Sequence, residues 1–101
     1  MTYDYNNGEL KVYLDEELDV KSCKVLRGII DGYIMKYQPK ELVMDLTNVD
    51  FMDSSGIGLI LGRYNLLKLL GSSMKVINVK QNIKRIIELS KIDMECVKYE
   101  Q

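Results

Sequence analysis

The stretch from Asp45 to Gly71, DLTNVDFMDSSGIGLILGRYNLLKLLG, constrains this chain more than any other. It reads as the end of a strand, a short turn, an exposed Asp-Ser-Ser-Gly and then a glycine-bearing helix. The rest of the chain is read as what holds that unit in place. Ser54 and Ser55 stand where the helix begins, so their hydroxyls sit beside backbone N–H groups without intrahelical partners. Such a place tolerates, and can favour, a phosphate. On physics alone a serine before a helix is first of all a cap.

Around this unit, strands and helices alternate. Asn7-Gly8 separates Thr2–Asn6 from Glu9–Leu14, and that pair favours the turn whose twist suits an antiparallel hairpin. Leu10, Val12 and Leu14 alternate with Lys11, Tyr13 and Asp15, giving the second strand one core face and one wet face. The acidic run Asp15–Asp19 reads as a solvated loop, with Asp19 as the N-cap of the next helix. From Val20 to Tyr37, an apolar stripe of Cys23, Leu26, Ile30, Tyr33 and Tyr37 predicts a helix, which Pro39 closes off. Glu41–Leu46 is apolar except at its ends, as suits an interior strand.

The helix that follows runs from about Ser55 to Leu70, burying Ile57, Ile60, Leu61, Tyr64 and Leu67. Leu59, Leu66 and Leu69 fall partly off that stripe and predict an exposed apolar patch. Gly58 and Gly62 lie one turn apart. They either leave a shallow groove for another backbone or let the helix lie tightly on the sheet. Met74–Val79 is a further strand, entered through Gly71-Ser72-Ser73. Asn82–Ser90 is a helix with Ile83, Ile86 and Ile87 inward, and Cys96–Tyr99 is a last edge strand. The pattern predicts a single α/β domain over residues 1–101, with a mostly parallel sheet of four to five strands and an antiparallel hairpin at its start.

Several function classes drop out. Fourteen basic against fifteen acidic residues leave a net charge of −1, which recommends neither nucleic acid nor an anionic membrane as partner. Histidine is absent, so the commonest general base and the commonest zinc ligand are missing. A serine nucleophile has no evident base, and Asp-Ser-Ser-Gly is not the glycine-x-serine-x-glycine elbow. Asp45, Asp50 and Asp53 fit no metal-binding loop. Gly56-Ile57-Gly58 lacks the third glycine or the lysine of a phosphate-binding fingerprint. The chain therefore reads as no enzyme, with no metal and no cofactor of its own. Without a signal peptide or a membrane-length apolar run, a cytoplasmic setting is expected, with Cys23 and Cys96 as buried thiols rather than a disulfide.

Phe51–Tyr64, FMDSSGIGLILGRY, resembles the signature of the STAS-domain anti-sigma-factor antagonists, above all the sporulation type that releases the forespore sigma factor. Glu17-Leu18-Asp19, Val43–Leu46 and Ile83-Lys84-Arg85 match further segments of that family, so the likeness spans essentially the whole chain. The resemblance implies a STAS-like layer and a switch protein. By that resemblance, Ser54 would be the residue phosphorylated by the anti-sigma factor, itself a serine kinase using ATP, and a metal-dependent serine phosphatase would reset it. The unphosphorylated form would then bind the kinase and free the sigma factor. Asp19, Asp53, Ser54, Ser55, Gly56, Ile57, Gly58 and Gly62 form the implied partner-binding surface, with Asp19 beside Ser54.

Two departures stand out. Glu16 replaces the glycine usual before Glu-Leu-Asp. The family's usual further helix has no counterpart before Gln101, which leaves a monomer or a weak homo-oligomer open. Rival readings are a general-stress antagonist, a receiver-like phosphoacceptor domain and a weak nucleotide-binding protein. A receiver would need an acidic pair after its first strand and a lysine ending a late one; Asp15-Glu16-Glu17 is a poor substitute.

Overall fold

The computed structural model describes residues 1–90 and 97–100. Asn7 and Gly8 both adopt positive φ, 51° and 82°, which is the backbone twist that folds one strand back on the next. β1 (Thr2–Asn6) therefore pairs antiparallel with β2 (Glu9–Tyr13), Thr2 opposite Tyr13 and Asn6 opposite Glu9. From β2 onward every strand is parallel to its neighbour: β3 (Glu41–Asp45), β4 (Ser73–Ile77) and β5 (Val97–Glu100). The five strands follow one another across a single mixed sheet, with β3 at its centre. Parallel neighbours need a crossover, and α1 (Val20–Tyr37), α2 (Ser54–Leu69) and α3 (Gln81–Leu89) supply it. The last strand is described from Val97 to Glu100; Cys96, its expected first residue, lies outside the described residues.

Register decides the core. Leu10 pairs with Leu42 and Leu42 with Met74, Val12 with Met44 and Met44 with Val76, so these six side chains share one face of the sheet. Cys23, Leu26, Ile30 and Ile34 of α1 join them in one buried cluster, as do Ile57, Ile60 and Leu67 of α2 and Ile83 and Ile87 of α3. β4 stops at Ile77 rather than Val79, although Val79 is still buried beyond it.

The helix stripes differ from expectation in two places. In α1 it is Ile34 that is buried, while Tyr33 and Tyr37 are half-buried. The edge strand β1 explains the difference. Tyr3 stacks on Tyr33 with ring centroids 4.0 Å apart, and Tyr5 on Tyr37 at 4.6 Å, so these rings close the sheet's edge instead of its centre. In α2, Leu61 and Tyr64 are half-buried, and Leu59 and Arg63 take the buried places. That helix is covered on a second flank by α1, so the single sheet-facing stripe is too narrow a description. Of the expected leucine patch, Leu59 is buried and Leu66 half-buried; only Leu69 is open, at 85% exposure.

Candidate functional site

β2 and β3 are parallel neighbours, so the chain leaves both at the same end of the sheet. The two departing segments stay side by side. Leu14 N–H donates to Asp45 O (3.1 Å), Leu18 N–H to Phe51 O (3.0 Å) and Asp53 N–H to Leu18 O (3.1 Å). Leu18 and Met52 thereby form an isolated parallel bridge. Two residues beyond each partner of that bridge a helix begins, so α1 and α2 start as neighbours.

Both starts are capped by aspartate. The Asp19 carboxylate accepts from Ser22 N–H at 2.9 Å, and that bond holds its pKa below the usual carboxylate range. Asp53 accepts from Ser55 N–H at 2.7 Å. The cap is thus the aspartate, not a serine. Ser54 becomes the first residue of α2, exposed, and among the described residues its hydroxyl has no hydrogen-bond partner. The Cys23 thiol registers how close the two carboxylates come. Burial first, then Asp53 and Asp19, push it up to about 11, so it stays a neutral thiol at physiological pH. Cys23 is free and buried, as the sequence suggests.

The glycines of the segment serve different ends. Gly56 is buried, and a Cβ there would stand 2.5 Å from Met52 Cγ and 3.1 Å from Leu18 Cβ. Only glycine lets the first turn of α2 press onto the Leu18–Met52 bridge. Ile57, at 3% exposure, packs in the core beside it. Both residues, expected in the partner-binding surface, lie buried beneath the start of α2. Gly58 and Gly62 are the reverse: a Cβ at either meets nothing within 4 Å. Tight packing on the sheet is therefore not their reason, and Gly58 instead borders an open cleft of about 420 Å³ between α1 and α2, together with Ser55 and Leu59.

The loop from β3 to Ser54 is tied down by groups the sequence reading missed. Burial alone would raise the pKa of Asp45, but the hydroxyl and N–H of Thr47 (2.6 and 2.9 Å) and Nδ2 of Asn78 (3.3 Å) outweigh it and hold the carboxylate ionised. Farther along, Asp50 pairs with Lys80, and its carbonyl accepts from Asn82 Nδ2 at 3.1 Å. The Asp45-x-Thr47 spacing was a legible Asx-turn signal; the reach to Asn78 was not. Likewise missed is the pair that joins the helices, Arg63 Nε to Asp31 Oδ1 at 2.7 Å. Among the described residues no cluster of His, Cys, Asp and Glu could hold a metal ion, and no helix is long and apolar enough to cross a membrane.

Comparison with known proteins bears on this geometry. A family model, the STAS domain, matches residues 2–99. The anti-sigma F factor antagonist of Paenibacillus polymyxa is 38% identical over 87 residues, covering 86% of this chain and 74% of the relative. The anti-sigma-B factor antagonist of Bacillus subtilis (strain 168) is 29% identical over 85 residues, covering 84% of this chain and 76% of the relative. Among solved structures, the anti-sigma factor antagonist SpoIIAA in its unphosphorylated form superposes with a TM-score of 0.82 at 21% identity, over 99% of this chain and 87% of that one. The phosphorylated form of the Bacillus cell fate determinant SpoIIAA gives 0.74 at 21% identity, over 99% and 90%.

Proposed function

This chain belongs to the STAS-domain family as an anti-sigma-factor antagonist, and from that premise we propose that it is a binding switch thrown by phosphorylation of Ser54. Unphosphorylated, it binds an anti-sigma factor that is also a serine kinase, and so releases the sigma factor. The kinase transfers the γ-phosphoryl group of ATP to Ser54 Oγ, the hydroxyl proton passes to a base of the kinase, and ADP leaves. A serine phosphatase returns the hydroxyl by hydrolysis. The chain itself performs no catalysis and works in the cytoplasm. Of the relatives named for sigma F, that of Paenibacillus polymyxa is more similar to this chain than the relative named for sigma B, which favours the sporulation type over the general-stress type.

One observation carries this reading: an exposed hydroxyl at the first position of a helix, unengaged among the described residues and beside two capping carboxylates. Accessibility lets a kinase bring ATP to it. The phosphate adds about −1.5 to −2 charges at neutral pH. In the free protein the N-terminal N–H groups of α2 offset part of the repulsion from Asp53 and Asp19. Within a tight interface the dianion is desolvated, at several kcal/mol unless a cation faces it. About 1.4 kcal/mol already lowers affinity tenfold, so charge alone ejects the partner without refolding. Support for a phosphorylated state also comes from the structural neighbour, which has been solved in one.

The test is incubation with the cognate anti-sigma kinase and ATP, followed by peptide mapping. One phosphate on Ser54 is expected, none in Ser54→Ala, and weakened kinase binding by Ser54→Asp. Label on Ser55, or undiminished label in Ser54→Ala, would overturn the assignment.

A further inference from the structure

The cleft between α1 and α2 has a composition that the phosphorylation of Ser54 does not require. Its floor is apolar: Cys23 and Leu59 are 7% and 3% exposed, and Val20 stands open at its mouth. Its α2 wall is Gly58, where no side chain intrudes. Its α1 wall is cationic, formed by the exposed side chains of Lys24 and Arg27, with Lys21 a turn earlier on the same helix.

One turn farther along this seam the charge excess continues. Arg63 is 5% exposed and ion-paired with Asp31, yet neither its Nε nor its Nη1 makes a hydrogen bond among the described residues. Arg27 lies close enough to oppose its charge. Lys24, Arg27 and Arg63 thus face a single carboxylate, Asp31, so the seam is positive, while the Ser54 end is negative through Asp19 and Asp53.

An apolar floor, a wall without a Cβ and a cationic rim fit an amphipathic helix lying close to α2, with acidic residues along one edge. We propose that the cleft is a second docking surface, continuous with the Ser54 end, that takes an acidic amphipathic helix of the anti-sigma partner. This rests on the anti-sigma reading above. A second copy of the chain is a poor occupant, because its own exposed helical positions include Lys21, Lys24, Arg27, Lys36, Lys68 and Arg85, which would meet the rim with like charge. The two ends then divide the work. The cleft holds the partner by shape and charge, and the phosphate acts only on the far end of the same interface.

Calorimetric titration of the full chain with the anti-sigma kinase tests this. Gly58→Leu fills open space in a helix, where leucine is the better helix former, so its thermal midpoint should hold or rise. Its affinity should fall by about tenfold or more, on the order expected for losing an interface anchor. The double variant Lys24→Glu, Arg27→Glu should weaken binding similarly and flatten its salt dependence. Unchanged binding by both variants would overturn the proposal and leave the Ser54 switch standing. No binding by the unaltered chain would overturn the anti-sigma reading and this proposal with it. Concentration-dependent dimerisation in the ultracentrifuge, abolished in Gly58→Leu, would assign the cleft to a second copy instead.

Discussion

Two buried residues, Gly56 and Asp45, set the position of Ser54 without touching anything outside the chain. Gly56→Ala forces a methyl group into Met52 Cγ and Leu18 Cβ, neither of which is the free end of a flexible side chain. Overpacking of this kind costs about 1–3 kcal/mol, and a urea titration should show it as a lower midpoint with unchanged slope. Asp45 makes a different kind of prediction. Its folded pKa lies below its unfolded value, so its contribution to stability is complete above the ordinary carboxylate range, near about 4, and is lost as pH falls through the folded value. Urea midpoints taken from neutral pH down into acid should fall for the unaltered chain. Asp45→Asn should begin less stable and lose less, so the two curves converge. Parallel curves would mean that the Thr47 and Asn78 bonds do not favour the ionised form. The caps show what was legible at this scale. Asp19 could be placed from sequence as a cap because its neighbours are poor ones. Asp53 and Ser54 are both good cap formers standing side by side, and only the backbone decides between them.

Between elements, legibility depended on distance along the chain. The hairpin was readable because Asn7-Gly8 contains its whole cause in two residues. The spans of α1 and α2 were readable from periodicity. Which side chains those helices bury was readable only in part, because periodicity assumes one covering surface and both helices have two neighbours. α1 meets the Tyr3 and Tyr5 rings at the sheet's edge, and α2 meets α1 as well as the sheet. Arg63 is the sharpest case. A charged residue on an apolar stripe reads as solvent-facing, yet here it is buried because Asp31 waits on the opposite helix. Asp31→Ala should leave that guanidinium uncompensated and cost about 3 kcal/mol, the lower end for a broken buried pair because Asp31 keeps a third of its side chain in water. Thermal or urea unfolding checks it. A loss of only a few tenths of a kcal/mol would show that solvent, and not Asp31, satisfies Arg63.

At the scale of the whole molecule, the sheet is a frame that brings two helix starts to one edge, and everything proposed for function lies along the line where those helices meet. The Leu18–Met52 bridge makes the two starts one rigid piece. The phosphate proposed for Ser54 would sit on that joined piece. On the proposed reading, such a protein would carry its on and off states in the same backbone, as a coin carries two faces, and its partner would have to tell them apart by the field it feels on approach.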